Sequence, residues 1–280
     1  MAAKLIDGKA ISAKVKEEVR DEIKQGNLKI GLAVIIVGDD GASRIYVNNK
    51  KKACEFCGIN SFEYALPEHT SEAELISLID KLNNDAAVNG ILVQQPLPKH
   101  INQSVVNAAI SPNKDVDAFH SENVGHIVGG DFKFLPCTPA GVMRMLEAEN
   151  IDVCGKECVV IGRSDIVGKP MALLLLHKHA TVMICHSRTK NLAEVTARAD
   201  VLVSAVGKVG LVTADMVKPG AVVIDVGMNR DEDGKLCGDV AFDEVKEVAS
   251  LITPVPGGVG PMTIAMLMKN VLTAKKLEQK

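Results

Sequence analysis

Short runs of Val, Ile and Leu alternate with helical patterns along most of the chain. Residues 30–37, 90–94 and 158–161 are such runs, and each ends in turn residues before a helical stretch begins. Strands that are apolar at almost every position are buried on both faces, which requires helices on each side of a mainly parallel sheet. The pattern therefore predicts an α/β fold.

The alternation occurs twice, and 280 residues are enough for two domains. In the first half, the predicted elements are strands at 30–37, 59–65 and 90–94 and helices at 43–57 and 71–82. In the second half, they are strands at 158–161, 181–185, 200–204 and 221–226 and helices at 169–179 and 191–198. The second series is the β-α-β-α-β unit of a Rossmann-like, dinucleotide-binding domain. We place the domains at 1–138 and 139–260, with Thr138 as the N-cap of a helix at 140–149 and Pro139 in its first turn.

Charge and hydropathy exclude several classes of partner. The formal net charge is -3, so charge gives no reason to expect a nucleic-acid partner, and no basic run suggests binding to a membrane surface. The longest apolar stretch, near 171–176, is far below the roughly 20 residues of a membrane-spanning helix, and we expect no membrane partner. The start of the chain lacks the apolar segment and cleavage site of a signal peptide, which favours a cytoplasmic location.

Seven cysteines are scattered along the chain. An odd number at irregular spacing is typical of reduced thiols in the cytosol rather than of a disulfide framework. Cys54 and Cys57 form a C-x-x-C pair, but Cys154 and Cys158 make a poor second pair for a zinc ion. We therefore expect apolar core thiols and no metal site.

A glycine-bounded turn follows the first strand of the second domain. Gly162 and Gly168 enclose Arg163, Ser164 and Val167, and the segment lies between a predicted strand and a predicted helix. A dinucleotide-binding fold places the cofactor pyrophosphate at such a turn, over the N-terminus of a helix. Serine stands at the middle position of the usual G-x-G-x-x-G pattern, so the spacing alone leaves a plain strand-to-helix turn as the alternative. We predict that these five residues bind the cofactor.

The end of the next strand indicates which dinucleotide is bound. Enzymes that use NAD usually carry Asp or Glu there, to bind the ribose 2'-hydroxyl. This chain has His186, Ser187 and Arg188 at that place and no carboxylate. Ser187 and Arg188, with Arg163 from the first turn, suit a 2'-phosphate because guanidinium groups make charge-assisted contacts to phosphate. The predicted cofactor is NADP, and we interpret His186 as a strand-end residue rather than a catalyst.

The candidate catalytic residues lie in the first domain. Tyr46 and Lys50 are four residues apart on a predicted helix and therefore share a face. Gln94 and Asp117 follow a predicted strand, and ligands in open α/β sheets bind at the carboxyl ends of strands. For Tyr46 and Lys50 taken alone, a solvated tyrosine with a lysine over its ring is the alternative.

Six segments occur in an order that is similar to one known family. They are Tyr46 to Lys50, Gly90 to Pro98, Lys114 to Asp117, Pro136 to Pro139, Gly162 to Gly168 and Thr253 to Met262. Together they resemble the bifunctional methylenetetrahydrofolate dehydrogenase/methenyltetrahydrofolate cyclohydrolase family over essentially the whole chain. The Pro-Gly-Gly-Val-Gly-Pro stretch at 256–261 is the most specific of them.

The resemblance implies a reaction and a role for each candidate residue. Members of the family oxidise 5,10-methylenetetrahydrofolate to the methenyl form with a nicotinamide cofactor and then hydrolyse it to 10-formyltetrahydrofolate. Lys50 is implied as the acid/base of the hydrolysis, with Gln94 beside it. Tyr46 is implied to lie against the pterin, and Asp117 to hydrogen-bond the pterin nitrogens.

The resemblance also implies how the domains and ligands are arranged. Gly257, Gly258 and Pro261 are expected to bind the tetrahydrofolate derivative in a cleft between the domains, although a rigid hinge is the alternative for this loop. The C-terminal helix, 261–280, is expected to join the first domain. A homodimer is expected, and the sequence leaves open whether an X-Pro bond in this loop is cis.

Two residues depart from the family pattern. Ala118 stands where glycine is expected, and its methyl group disfavours a left-handed backbone. Gln95 stands where leucine is commoner, and strand alternation predicts that it points away from Gln94.

A monofunctional dehydrogenase and a non-catalytic NADP sensor remain the alternatives to a bifunctional enzyme. The Lys50–Gln94 pair argues against the first, and the grouping of candidate residues in the first domain argues against the second.

Overall fold

The computed structural model describes residues 2–278, except for the side chain of residue 42. These residues form two compact units. The first unit contains residues 13–137 and 264–278, and the second contains residues 2–12 and 138–263. The sequence-based boundary assigns residues 2–12 to the first domain. The structure groups them with the second unit, because the strand Lys4–Leu5 pairs with Leu251–Ile252.

The helices and strands follow one another as the apolar runs indicate. The strands are β1 (Lys4–Leu5), β2 (Gly31–Val37), β3 (Asn60–Leu66), β4 (Gly90–Val93), β5 (Glu157–Ile161), β6 (Thr181–Cys185), β7 (Val201–Ser204), β8 (Val222–Asp225), β9 (Asn229–Arg230), β10 (Leu236–Cys237) and β11 (Leu251–Ile252). The α-helices are α1 (Gly8–Gln25), α2 (Gly41–Cys57), α3 (Glu72–Asn83), α4 (Gln103–Ala109), α5 (Ser121–Gly129), α6 (Cys137–Ala148), α7 (Gly168–His177), α8 (Leu192–Thr196), α9 (Phe242–Val245) and α10 (Val259–Leu277). None of the helices within residues 2–278 is long and apolar enough to cross a membrane.

The sheet of the first unit is parallel and has the order β3-β2-β4. β2 lies at its centre, and all seven of its residues are buried. Alternate side chains of β2 enter two different cores. Val34 packs with Cys54 and Met268, whereas Ile35 packs with Ile79. Burial on both faces is the reason that the sequence of this strand is apolar throughout.

α2 carries the candidate residues Tyr46 and Lys50. The helix begins after Asp40, whose carboxylate accepts a hydrogen bond of 2.8 Å from the backbone N–H of Ser43. It ends at Gly58, which has a φ of 79° and donates its N–H to the last turn. These are the usual N-cap and C-cap arrangements, so local sequence determines where α2 starts and stops.

The second unit contains a six-stranded parallel sheet with the order β1-β11-β8-β7-β5-β6. Counted from β5, five of these strands have the order 2-1-3-4-5, one of the two common doubly wound arrangements. The chain turns in opposite directions on the two sides of β5, so the ligand crevice lies at the carboxyl ends of β5 and β7. The predicted α/β fold class is confirmed.

Helix starts differ from the sequence-based prediction by up to three residues, and the differences at α6 and α10 affect residues singled out in the sequence. α6 begins at Cys137 rather than at residue 140, so the prediction of Thr138 as N-cap is wrong. Thr138 lies in the first turn, where its hydroxyl shares a hydrogen bond of 2.9 Å with that of Thr263. Pro139 is tolerated at this place because the N–H groups of a first turn have no partner within the helix. α10 begins at Val259, two residues before the expected start at 261, so Pro261 lies in its first turn.

Candidate active site and cofactor site

The pair Lys50 and Gln94 forms between α2 and the end of β4. Lys50 Nζ donates a hydrogen bond of 2.8 Å to Gln94 Oε1. The other end of the Gln94 amide, Nε2, donates to the carbonyl of Gln95 at 2.7 Å, and this keeps Oε1 turned towards the lysine. The backbone N–H of Gln94 donates to the carbonyl of Ile35 on the central strand. The amide is therefore anchored one residue beyond β4, where the sequence predicts a ligand-binding residue.

Gln95 has a different role from the one that strand alternation predicts. β4 ends at Val93, so Gln95 does not lie on a strand and the alternation does not apply to it. Its carbonyl holds the side chain of Gln94. The Gln95–Pro96 peptide bond is cis.

Asp117 follows a segment that is bonded to β4. Ile91 N donates to the carbonyl of Lys114 at 2.8 Å, and Ile91 forms an isolated parallel bridge with Asp115. The Asp115 carboxylate is buried and accepts a hydrogen bond of 2.8 Å from the Asn123 side chain. The structure therefore holds the segment before Asp117 against the strand that positions Gln94.

Ala118 adopts the left-handed conformation that its methyl group disfavours. Its φ is 58°, and its side chain is fully buried in the core of the first unit. A left-handed residue other than glycine costs about 1–2 kcal/mol, and burial of one methyl group offsets about 0.8 kcal/mol of this. The backbone geometry that glycine adopts freely is thus retained with alanine.

The ionisable groups of this site have shifted pKa values. Burial lowers the pKa of Lys50 from its usual value, while the Asp117 carboxylate acts in the opposite direction. Burial raises the pKa of Asp117 to about 6, against the attraction of Lys50. Burial also raises the pKa of the Tyr46 hydroxyl. Burial thus favours the neutral form of each group. It moves the pKa of the Lys50 amine down and that of the Asp117 carboxyl group up, so that both lie closer to neutral pH, where a group can both accept and donate protons.

Two buried residues near Asp117 are not among the sequence-predicted site residues. Cys137 Sγ lies 3.7 Å from Asp117 Oδ1 and 3.6 Å from the carbonyl oxygen of Val116. Asn270 of α10 donates from Nδ2 to the carbonyls of Val116 and Leu135, both at 2.8 Å. The sequence contains one sign of the role of Asn270, which is that it is a single amide in the apolar stripe of a helix. A buried amide requires hydrogen-bond partners, so such a residue is expected to bond to neighbouring segments.

Gly162 and Gly168 bound the turn after β5, and neither of these two positions has room for a side chain. A Cβ on Gly162 would lie 2.4 Å from the carbonyl oxygen of Ala205, and a Cβ on Gly168 would lie 2.3 Å from the carbonyl oxygen of Gly162. Ser164 Oγ accepts hydrogen bonds from the N–H groups of Val167 and Gly168, at 3.2 and 3.3 Å. Close backbone packing at the start of α7 fits a pyrophosphate-binding turn, which requires glycine for the same reason.

Arg163, Ser187 and Arg188 are exposed at the ends of neighbouring strands. β5 and β6 pair in parallel along their whole length, so the residues that follow them lie at the same edge of the sheet. His186 Nδ1 accepts a hydrogen bond of 3.1 Å from the backbone N–H of Arg188. The structure thus brings the three predicted 2'-phosphate residues to one edge, and His186 shapes the turn between them.

The glycine-rich segment before α10 is shaped by direct backbone contact with α1. A Cβ on Gly8 would lie 1.9 Å from the carbonyl oxygen of Gly258. Gly257 has a φ of 109°, and the Val255–Pro256 bond is cis. Pro261 follows within the first turn of α10. The signal that sequence reasoning missed is the glycine at position 8, which this close approach requires.

One unit thus has a glycine turn that fits a dinucleotide, and the other has a partly buried Lys–Gln pair with a carboxyl group. A glycine turn of this kind at the carboxyl end of a doubly wound sheet is typical of a nicotinamide-dependent dehydrogenase. Residues 6–117 match the family model described as "Tetrahydrofolate dehydrogenase/cyclohydrolase, catalytic domain", and residues 136–279 match its "NAD(P)-binding domain". The chain belongs to the tetrahydrofolate dehydrogenase/cyclohydrolase family. The resemblance and the predicted class of bifunctional oxidoreductase and hydrolase are confirmed.

Individual relatives match over the full length of the chain. "Bifunctional protein FolD" of Acetivibrio thermocellus is 61% identical over 283 residues, which cover 100% of this chain and 99% of the relative. The crystal structure of the bifunctional enzyme FolD from Campylobacter jejuni has a TM-score of 0.96 at 52% identity and covers 99% of this chain and 100% of its own. The methylenetetrahydrofolate dehydrogenase-cyclohydrolase of Trypanosoma brucei, complexed with NADP and an inhibitor, has a TM-score of 0.95 at 38% identity, with 100% and 99% covered.

Proposed function

We propose that the protein oxidises 5,10-methylenetetrahydrofolate to the 5,10-methenyl form with NADP and hydrolyses that form to 10-formyltetrahydrofolate. The observation that carries the proposal is the hydrogen bond of 2.8 Å between Lys50 and Gln94. NADP, when bound, supplies the hydride acceptor, and the protein's part in that step is to hold donor and acceptor close together. A lysine is not needed for hydride transfer, so the pair is best explained by the hydrolytic step.

Lys50 is the acid/base of the hydrolysis. Water must lose a proton as it adds to the methenyl carbon, and a ring nitrogen must gain one as the ring opens. A lysine with its ordinary pKa of about 10.4 is a poor base at neutral pH. Burial lowers that pKa, and the partner at 2.8 Å is the neutral amide of Gln94. A neutral partner holds the amine in place without stabilising its charge as a carboxylate would.

The folate is recognised by Tyr46, which precedes the Lys50–Gln94 pair in the chain, and by residues that follow it. Asp117 accepts hydrogen bonds from the amino group and the ring N–H of the pterin, because a carboxylate matches two adjacent donors. Tyr46 lies one helical turn before Lys50 on α2 and packs against the pterin ring. Gly257, Gly258 and Pro261 contribute backbone and ring surface to substrate binding.

The cofactor is NADP because the end of β6 offers cations and no carboxylate. Arg163, Ser187 and Arg188 are exposed at the edge where a dinucleotide fold binds the adenosine ribose. An exposed guanidinium can form charge-assisted hydrogen bonds to a 2'-phosphate. The turn from Gly162 to Gly168 accepts the pyrophosphate.

The experiment that tests the proposal follows both activities in one assay. The wild-type protein is mixed with methylenetetrahydrofolate and NADP or NAD, and NADPH formation and methenyl decay are recorded. Lys50→Met is compared with Lys51→Met, the exposed lysine next to it on α2. We expect Lys50→Met to lose at least about 100-fold in the hydrolysis, as is usual when an acid/base is removed, and to keep measurable folate binding. Lys51→Met should retain both rates.

Each contrary outcome selects a different alternative. Unchanged methenyl hydrolysis in Lys50→Met would refute the acid/base role. Reduction of NADP with accumulating methenyl product in the wild type would leave a monofunctional dehydrogenase. No reduction of either cofactor would leave a binding module.

We also propose that the protein is a homodimer formed through β6. Within residues 2–278, β6 is bonded to β5 alone and is the outer strand of its sheet. Its residues Met183 and Ile184 are exposed, as is Leu176 at the end of α7. An apolar outer strand is normally covered by another strand or chain. Sedimentation velocity should show a dimer for the wild type and for Val128→Lys, an exposed site on α5, and a monomer for Ile184→Lys. A monomeric wild type would contradict the proposal.

The cysteines support a cytoplasmic location. All seven are free thiols, and five of them are buried. Burial in an apolar core with no disulfide is the pattern of a protein that functions in a reducing compartment.

A further inference from the structure

The loop after β7, residues 205–210, lies against the cofactor turn. Ala205 N donates to the carbonyl of Ile161 at 2.8 Å. The carbonyl oxygen of Ala205 occupies the place next to Gly162 where a Cβ would come within 2.4 Å. Any ligand held by the turn after β5 therefore borders this loop as well.

The order of the strands indicates which half of the cofactor meets this loop. The proposed 2'-phosphate residues follow β6, and the pyrophosphate turn follows β5. β7 and β8 are the next strands in the sheet. A dinucleotide that crosses the ends of these strands in order must place its nicotinamide half over β7 and β8.

Three apolar side chains are exposed beyond these two strands. Val206 and Val209 of loop 205–210 are 38% and 50% exposed, and Met228, which follows β8, is 47% exposed. Apolar side chains grouped at the mouth of a crevice commonly line a ligand site. These side chains can line a ligand site only if the irregular segments that carry them are fixed in position.

A single buried carboxylate holds both segments. Asp239 is 0% exposed. Its Oδ2 accepts hydrogen bonds from Ser204 Oγ at 3.1 Å and Val206 N at 2.8 Å. Its Oδ1 accepts from Lys208 N at 2.9 Å and Asn229 Nδ2 at 3.0 Å. Four donors use the full acceptor capacity of the two oxygens, so one side chain joins the end of β7, the loop after it and the segment after β8.

Asp239 is in turn fixed by the backbone around it. The carboxylate of Asp225 accepts hydrogen bonds from the N–H groups of Asp239 and Val240, both at 2.9 Å. A Cβ on Gly227 would lie 2.2 Å from Asp239 Oδ1, and a Cβ on Gly238 would lie 1.9 Å from Asp225 Oδ2. Two buried carboxylates are tolerated here because protein donors replace the water that each has lost.

We propose that Asp239 is a positioning residue of the NADP site, which holds loop 205–210 and the segment after β8 so that Val206 and Met228 line the nicotinamide half of the cofactor. The inference rests on the proposed use of NADP. Asp239 acts without touching the cofactor, since protein donors occupy both of its oxygens.

Asp239→Asn is the variant that tests this role. An amide keeps the shape of the carboxylate, but whichever way it is turned, its NH₂ group faces a backbone N–H, that of Val206 or that of Lys208, and the hydrogen bond from that N–H is lost. Calorimetric titration should show that the dissociation constants for NADP and NAD both rise by about tenfold or more, by a similar factor, because the nicotinamide half is common to both cofactors. Methenyl hydrolysis, which needs no cofactor, should stay within about twofold of wild type. Asp233→Asn, an exposed aspartate in the turn between β9 and β10, is the matched control and should change nothing.

The outcomes separate this inference from the proposed function. Unchanged cofactor binding in Asp239→Asn overturns the positioning role. A loss confined to NADP, or a parallel loss of hydrolysis and thermal stability, also overturns it, because the residue would then serve the 2'-phosphate or the fold in general. If Asp239→Asn does not fold, Ser204→Ala removes one of the four hydrogen bonds, and equal binding to the wild type overturns the proposal. A wild type that binds neither cofactor contradicts the proposed function itself.

Discussion

The proposed contact between Asp117 and the pterin makes folate binding depend on pH in a range that is unusual for a carboxyl group. Burial raises the pKa of Asp117 to about 6, whereas an ordinary aspartate titrates near pH 3.9. The pterin presents N–H donors, so only the ionised carboxylate can accept both hydrogen bonds. Below the raised pKa, the free protein must release a proton before it binds folate, and the affinity falls.

The size of the effect follows from the pKa alone. At pH 5, about one molecule in eleven has Asp117 ionised, so the dissociation constant should be about 11-fold larger than at pH 8. A carboxyl group with the ordinary pKa would change the dissociation constant by less than about 10% over the same range. At pH 6, folate binding should release about half a proton.

Calorimetric titration with folic acid measures both quantities. Folic acid carries the same amino and ring N–H donors and does not react, and buffers of different ionisation enthalpy report the protons released. Asp117→Asn should bind more weakly with no pH dependence in this range. Lys50→Met should move the midpoint to higher pH, because the attraction of Lys50 lowers the pKa of Asp117 in the wild type. A constant affinity between pH 5 and pH 8, or the same slope in Asp117→Asn, would refute the reasoning.

Three further substitutions have definite expected outcomes. Arg163→Ala should raise the KM for NADP far more than that for NAD, and equal changes would remove this arginine from the 2'-phosphate site. Gly168→Ala places a Cβ within 2.3 Å of the carbonyl oxygen of Gly162, so NADPH formation should fall by at least about tenfold. Methenyl hydrolysis, which we assign to Lys50, should persist in that variant, and loss of both rates would contradict an effect confined to the cofactor turn. Asn270→Ala leaves two buried carbonyl groups without their 2.8 Å partners and should lower the free energy of unfolding by about 2–4 kcal/mol, whereas a change below about 0.5 kcal/mol in urea unfolding would contradict that role.

Features with a local cause could be predicted from the sequence. β2 and β4 were recognisable because strands covered on both faces are apolar along their whole length. The turn from Gly162 to Gly168 was recognisable because close backbone contacts exclude every residue except glycine. Helix ends were less certain. Thr138 has the side chain of an N-cap, but α6 begins one residue before it, and no local signal distinguishes the two starts.

Contacts between distant segments could not be predicted in this way. β1 has only two residues, and its partner β11 lies more than 240 residues later in the chain. Asp239 shows no motif, and its four donors come from two separate segments, residues 204–208 and Asn229. Which donors reach a buried carboxylate depends on which segments the fold brings together, and the local sequence around Asp239 does not indicate this.

The sequence by itself determined the α/β class and the dinucleotide-binding second half, and it supplied the prediction of NADP and the candidate residues Lys50, Gln94 and Asp117. Only the tertiary structure decided how those residues act on one another. Packing brings Lys50 to 2.8 Å from Gln94, 44 residues away in the chain, and removes enough water from Asp117 to raise its pKa to about 6. The physical reason is that side-chain chemistry is local, whereas desolvation depends on every segment that the fold packs around a group.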